Sequence, residues 1–130
     1  MDFLRRLFGG NLEASGAAAR PAHVDARELQ ARLAQADKPF VLDVRETHEY
    51  ADAHIAGSVL IPLGALQARV SELPRNRAIV CVCRSGNRSG VAARMLATDG
   101  FTVANLSGGM IGWTRAGLPV KRGSAPGGAH

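Results

Sequence analysis

Cysteine is scarce in this chain of 130 residues: Cys81 and Cys83 are the whole supply. Two thiols two positions apart cannot build a disulfide framework, and with no second ligand pair at metal spacing they make no zinc ribbon. Reduced thiols point to the cytoplasm. Aromatic residues are also few, 5% of the total. The formal net charge is +5, but the arginines (Arg27, Arg32, Arg69, Arg75, Arg94, Arg115) form no block and have almost no aromatic residue between them. Nucleic-acid binding therefore ranks below attraction of small anions, for which scattered positive charge suffices. The sequence has no internal repeat, and no apolar run long enough for a signal-peptide core or a membrane span.

What is present suits one domain. Hydrophobic residues make up 46% of the chain, and a chain this long can bury a core without a disulfide or metal staple. The opening MDFLRRLFGG puts Phe3, Leu4, Leu7 and Phe8 on one helical face with Arg5 and Arg6 opposite, a pattern suited to a membrane surface or a partner helix. So short a helix is marginal alone, and a frayed terminus without membrane contact is the expectation. Gly and Ala dominate as far as Ala22, and RGSAPGGAH closes the chain. The expected organisation is a flexible segment and linker over 1–21, a folded domain over 22–120, and a disordered tail over 121–130.

Within 22–120, short apolar runs alternate with helical patterns. DARELQARLAQA begins with Asp25 as N-cap and Glu28 three residues on, and spaces Leu29, Leu33 and Ala36 for burial. FVLDV and SVLIP read as strands, and LGALQARVSEL carries a stripe of Leu63, Leu66, Val70 and Leu73. AIVCV is a third strand. Val91, Ala92, Met95 and Leu96 mark a further helix that Gly100 ends, followed by the strand FTVANL and the glycine turn and short helix GGMIGWTRAG. Continuous rather than alternating apolar runs are those of strands covered on both faces. The expectation is an α/β fold, a mostly parallel central sheet with helices on both faces, binding its ligand beyond the carboxyl ends of the strands.

Cys83 lies at such an end. The loop CRSGNRS joins strand to helix in six residues, Cys83 to Arg88. A tight loop there turns successive N–H groups into a concave nest, and the helix that follows adds the positive end of its dipole. Gly86 lets the backbone turn, and Arg84 and Arg88 add charge. All of these favour an anion at the loop centre, first of all the Cys83 thiolate, and would hold an anionic substrate against it. Cys81, inside AIVCV, reads as core packing.

The loop CRSGNRS at the end of IVCVC, with LDVRE (Leu42 to Glu46), HIAGSVLIP (His54 to Pro62) and NLSGGMIGW (Asn105 to Trp113), resembles a rhodanese homology domain over roughly Ala22 to Val120. The resemblance implies a sulfurtransferase that needs no cofactor. Its loop cysteine takes the sulfane sulfur of thiosulfate, releases sulfite and becomes a persulfide, which cyanide or a thiol then unloads by ping-pong kinetics. Carried over, Cys83 is the nucleophile, and Arg84, Ser85, Gly86, Asn87 and Arg88 form the anion cradle. Asp43 and Arg45, at the end of the second apolar run, should flank the same rim. Arg45 is expected to attract the substrate anion or to pair with Glu46 or Glu49, and Asp43, with Ser89, to play a supporting part. His54 is expected to be structural, Gly108 and Gly109 to serve a tight turn beside the loop, and Trp113 to pack in the core.

Two other chemistries compete. Phosphatases and arsenate reductases of similar fold use Cys-x5-Arg, whereas here Cys83-x4-Arg88 is one residue short and Val82 precedes the cysteine. A persulfide relay to a protein acceptor would use the same loop and is compatible with the sequence.

Overall fold

The computed structural model describes residues 20–126. The readings of Phe3 to Phe8 as an amphipathic segment and of the Gly/Ala stretch before Arg20 as a linker lie outside the described residues. Along the chain run β1 (Ala22–Val24), α1 (Ala26–Leu33), β2 (Phe40–Asp43), α2 (Thr47–Asp52), β3 (Val59–Leu60), α3 (Leu63–Leu66) continuing into a 3-10 turn (Gln67–Glu72), β4 (Ile79–Val82), α4 (Asn87–Thr98), β5 (Val103–Leu106) and α5 (Gly109–Arg115). The five strands form one sheet in the order β1-β5-β4-β2-β3, and every neighbouring pair is parallel. None of the described helices is long and apolar enough to cross a membrane.

The alternation of side chains along a strand divides the core in two. Val80 and Val82 of β4 join Val24, Leu29, Val41, Leu106, Met110 and Trp113 in one buried cluster, which α1 and α5 cover. Ile79, Cys81 and Cys83 join Leu42, Leu66, Ala92, Ala93, Leu96 and Phe101 in the other, under α3 and α4. β4 is the middle strand and all four of its residues are buried. This is why its sequence is apolar without interruption.

The local signals act as expected at α1, where the Asp25 side chain accepts from the Glu28 N–H at 2.8 Å. That helix ends at Leu33, so Ala36 lies outside it and is exposed. Other expectations need correction. LGALQARVSEL is no continuous helix: it tightens to 3-10 after Leu66, and Arg69 (φ −116°, ψ 15°) leaves helical geometry. In α4 the buried stripe is Ser89, Ala92, Ala93 and Leu96, while Val91 is 46% exposed. Two elements were not foreseen. β1 is three residues that pair with β5 at the sheet edge, and α2 fills a stretch of charged residues after Arg45.

At Lys121 to Gly123 the start of the tail departs from expectation. Lys121 exchanges both backbone hydrogen bonds with His54, at 2.9 and 2.8 Å, and Gly123 N–H donates to Ala51 at 2.8 Å. Arg122 Nη1 donates to the Asp52 carbonyl at 2.7 Å. The ordered unit therefore extends past Val120, because the carbonyls and amides at the end of α2 need partners and find them in the chain after α5. His54 is structural: its Nδ1 lies 2.7 Å from the Tyr50 carbonyl and its ring stacks on Tyr50 at 3.7 Å. Trp113 is buried, with its Nε1 donating to the Pro119 carbonyl.

Candidate active site

β4 carries Cys83 to the carboxyl edge of the sheet, and the chain then closes a loop that α4 continues from Asn87. Gly86 stands at the N-cap with φ +112°, a backbone that L side chains rarely adopt. That conformation aims its N–H at Cys83 Sγ, 3.0 Å away. Ser89, in the first turn of α4, brings its Oγ to 3.2 Å from the same sulfur. Burial alone would push the Cys83 thiol up. Hydrogen bonds from the Ser89 hydroxyl and from the Ser89, Gly86 and Ser85 amides outweigh it and hold the thiol below its ordinary value. Cys81 points to the same side of the sheet without such donors, and burial pushes it far up.

The loop is clamped from outside. Met110 N–H donates to the Cys83 carbonyl at 2.9 Å and Ile111 N–H to the Arg84 carbonyl at 3.0 Å. Two orphan amides of the first turn of α5 are thereby satisfied, and the loop backbone is fixed. The approach is so close that a Cβ on Gly109 would lie 2.4 Å from the Cys83 carbonyl oxygen and 2.5 Å from that of Arg84. Gly109 is glycine because nothing larger fits.

The three arginines of the rim have separate fates. Arg45 is buried; its Nε and Nη2 fork onto Asp43 at 2.9 and 2.7 Å, and Nη2 also donates to the Ala53 carbonyl at 2.8 Å. It pairs with neither Glu46 nor Glu49, the partners expected for it. Asp43 also accepts from the Arg45 N–H at 3.1 Å, and together they strut β2 against the end of α2. Arg88 forks onto Glu49 of α2 with both contacts at 2.8 Å. The Arg88 hydrogen bond is the main reason that the Glu49 carboxyl is lowered to about 2. The charge that Arg88 was expected to add to the loop is therefore compensated by Glu49. Arg84 is exposed and has no side-chain partner among the described residues. Ser85 and Asn87 are exposed, and of the two it is the Ser85 amide that turns to the sulfur.

Beside the loop, Arg45, Glu49, Asp52, Ala53, Arg84, Met110, Ile111 and Thr114 line an open cavity of about 280 Å³. Its walls come from α2, the loop and α5. Asn105, which accepts from Ser89 Oγ at 2.6 Å, and the amides of Met110 and Ile111 escaped the sequence reading, and Glu49 was read as a partner of Arg45 rather than of Arg88. A signal existed for one of them. Asn105 is the lone polar residue in the buried run Val103–Leu106.

A family model described as "Rhodanese-like domain" matches residues 25–116, a span that contains the loop, its clamp and all of the buried core except Val24. The chain belongs to the rhodanese-like family. It is 38% identical over 98 residues to a protein of Allochromatium vinosum named "Sulfurtransferase", covering 75% of this chain and 92% of that one. The crystal structure of a rhodanese-related protein from Thermoplasma volcanium superposes with a TM-score of 0.73 at 31% identity, over 77% of this chain and 97% of that one. A thiosulfate sulfurtransferase from Pseudomonas aeruginosa aligns at a TM-score of 0.71 and 28% identity, over 80% of this chain and 20% of that one. The rhodanese-like fold and the kinship with sulfurtransferases follow.

Proposed function

We propose that this rhodanese-like protein transfers sulfane sulfur from a small anionic donor such as thiosulfate to a thiophilic acceptor, cyanide or a thiol, through a persulfide on Cys83. The observation that carries the reading is the pair of donors on Sγ, Gly86 N–H at 3.0 Å and Ser89 Oγ at 3.2 Å, inside a loop closed by α4. They favour the thiolate, which is the nucleophile the first step needs. The Cys83 thiolate attacks the outer sulfur of thiosulfate. The S–S bond to the sulfonate sulfur breaks, and its electron pair leaves with sulfite. The new persulfide keeps one negative charge on its terminal sulfur, where amides and the helix dipole stabilise it. Attack of cyanide on that sulfur returns the electron pair to Sγ and releases thiocyanate. No proton or external electron is consumed in either half.

Arg84, with no side-chain partner among the described residues, is the rim cation with charge to spare for the donor. Arg45 and Arg88 hold the walls of the cavity through Asp43 and Glu49. A thiolate that must stay reduced between turnovers suits the cytoplasm.

The test is a steady-state assay with thiosulfate and cyanide, run beside aryl phosphate hydrolysis, on the wild type, Cys83→Ser and Cys81→Ser. Thiocyanate formation lost in Cys83→Ser and largely kept in Cys81→Ser is the expected result. With donor alone, the protein should gain one sulfur atom of mass on the peptide containing Cys83 and lose it on adding cyanide. Phosphate release without sulfur transfer, or thiocyanate made by a chain that never carries the extra sulfur, would refute the reading.

A further inference from the structure

Asn105 stands behind the reactive loop, on β5, and does not touch the sulfur. It is buried in a strand whose other three residues are apolar, a costly place for an amide unless both its ends are bonded. Both are. Its Oδ1 accepts from Ser89 Oγ at 2.6 Å, and its Nδ2 donates to the Gly86 carbonyl at 3.2 Å. These are the two residues whose donors face Cys83 Sγ, the Gly86 N–H at 3.0 Å and the Ser89 hydroxyl at 3.2 Å. One amide therefore grips both from the side away from the sulfur.

The proton count gives this grip a function. Ser89 has one hydroxyl proton and two acceptors, Asn105 Oδ1 and Cys83 Sγ. While Sγ is a thiolate, the charge draws that proton toward sulfur. Once Sγ has become the inner, uncharged sulfur of a persulfide, the charge lies one atom further out and the proton has Oδ1 to return to. The hydroxyl keeps an acceptor in both states and needs no rotamer change beyond a swing of its O–H bond. Resting on the sulfur-transfer reading, we propose that Asn105 is a positioning residue for Cys83, holding the Ser89 hydroxyl and the Gly86 peptide in register with the sulfur through both halves of the transfer cycle.

The test is the pH dependence of Cys83 alkylation by iodoacetamide in the full chain, scored by peptide mapping so that Cys81 does not contribute, for the wild type, Asn105→Leu, Ser89→Ala, Ser89→Thr and the double variant Asn105→Leu/Ser89→Ala. Alkylation reads the thiolate whether or not the protein transfers sulfur, so its outcome is separate from that of the turnover assay. The charged and titratable groups around Sγ remain in every variant: Arg88 with its Glu49 partner from α2, Arg84 in the loop, and the buried Cys81 thiol on β4. Asn105→Leu and Ser89→Ala should each move the half-maximal pH upward, by about one to two units if each removes a hydrogen bond that serves the charged form. Ser89→Thr should restore most of the wild-type profile, and the double variant should shift by less than the sum of the singles. A midpoint that Asn105→Leu leaves in place, with only the melting temperature lowered, would overturn the proposal. So would a downward shift, which would make Asn105 a mere competitor for the proton. If Asn105→Leu does not fold, Asn105→Ala takes its place, and an unmoved profile there is equally fatal.

Discussion

The closest backbone contact of the site lends itself to a single-atom perturbation. Gly109 has φ +55°, and a Cβ built on it would meet the carbonyl oxygens of Cys83 and Arg84 at 2.4 and 2.5 Å and the Arg84 carbonyl carbon at 2.6 Å. All three are backbone atoms, so no side chain can swing away. Gly109→Ala must bear a left-handed backbone, about 1–2 kcal/mol, and an overpacked contact, about 1–3 kcal/mol. The sum, about 2–5 kcal/mol, corresponds to a fall in melting temperature on the order of 10–20 °C for a domain of this size. Gly57→Ala and Gly117→Ala are matched controls: φ is +81° and +75°, and a Cβ there has nothing within 4 Å. They isolate the conformational cost and should lose only about 1–2 kcal/mol. Thermal unfolding of the three variants, with Cys83 alkylation rates on the same samples, separates the two costs. Gly109→Ala should also slow alkylation at neutral pH, since pushing back the first turn of α5 loosens the loop that points the Gly86 amide at the sulfur. A Gly109→Ala variant no less stable than Gly57→Ala, with alkylation unchanged, would refute the claim that α5 clamps the loop.

The other expectations concern charge and the tail. Arg84→Ala should slow loading from dianionic thiosulfate more than unloading by cyanide, as stopped-flow half-reactions would show, because it removes the loop guanidinium that no side chain among the described residues compensates; equal slowing would make its role structural. The Glu49 carboxyl is lowered to about 2 chiefly by the Arg88 fork, with burial opposing. A carboxyl depressed in the folded state stabilises above its unfolded pKa, so this contribution is complete above about pH 4.5 and fades as pH falls toward 2. Arg88 is 36% exposed at its side chain, and after screening the effect is about 1–2 kcal/mol. Acid unfolding of Glu49→Gln should show a correspondingly flatter loss of stability over that window, and an unchanged slope would count against the pair. Truncation before Lys121 should cost about 1–3 kcal/mol more than truncation before Ser124, since three backbone hydrogen bonds and the Arg122 contact are lost; denaturant midpoints would measure the difference.

Features of the fold that depend on local periodicity were legible in the sequence, and those that depend on a partner far along the chain were not. Asp25 announces α1 because an N-cap needs only the residue three positions on. β1 could not be seen: three residues make no pattern, and Ala22 to Val24 become a strand only because β5 offers an open edge. The tail looked like a solvated run of small residues. Lys121 and Gly123 at its start are held by His54 and Ala51, some 70 positions earlier, whose backbone groups need them. Arg88 shows the same limit at the site. The loop spacing identified Arg88 as a nearby charge, but its neutralisation rests on Glu49, 39 residues away. Arg45 read as a rim cation because it follows a strand end, yet Asp43, two positions before it, is close enough to take its fork in the turn.

The two cysteines show what part of reactivity a pattern can carry. Cys81 and Cys83 differ by one strand period, face the same side of the sheet and belong to the same apolar cluster. Both are almost wholly buried, so exposure cannot separate them. Burial raises both thiols, and at Cys81 it is the leading cause and meets no opposing donor. At Cys83 the strand has ended. The amides that β4 would spend on its neighbours are released into the loop, and those of Ser85, Gly86 and Ser89 turn to the sulfur with the Ser89 hydroxyl. Moving the thiol two residues back would keep its neighbours apolar and remove every donor. The nucleophile is therefore set by the place where ladder pairing stops and α4 begins, a boundary that the change from AIVCV to CRSGNRS marks in the sequence.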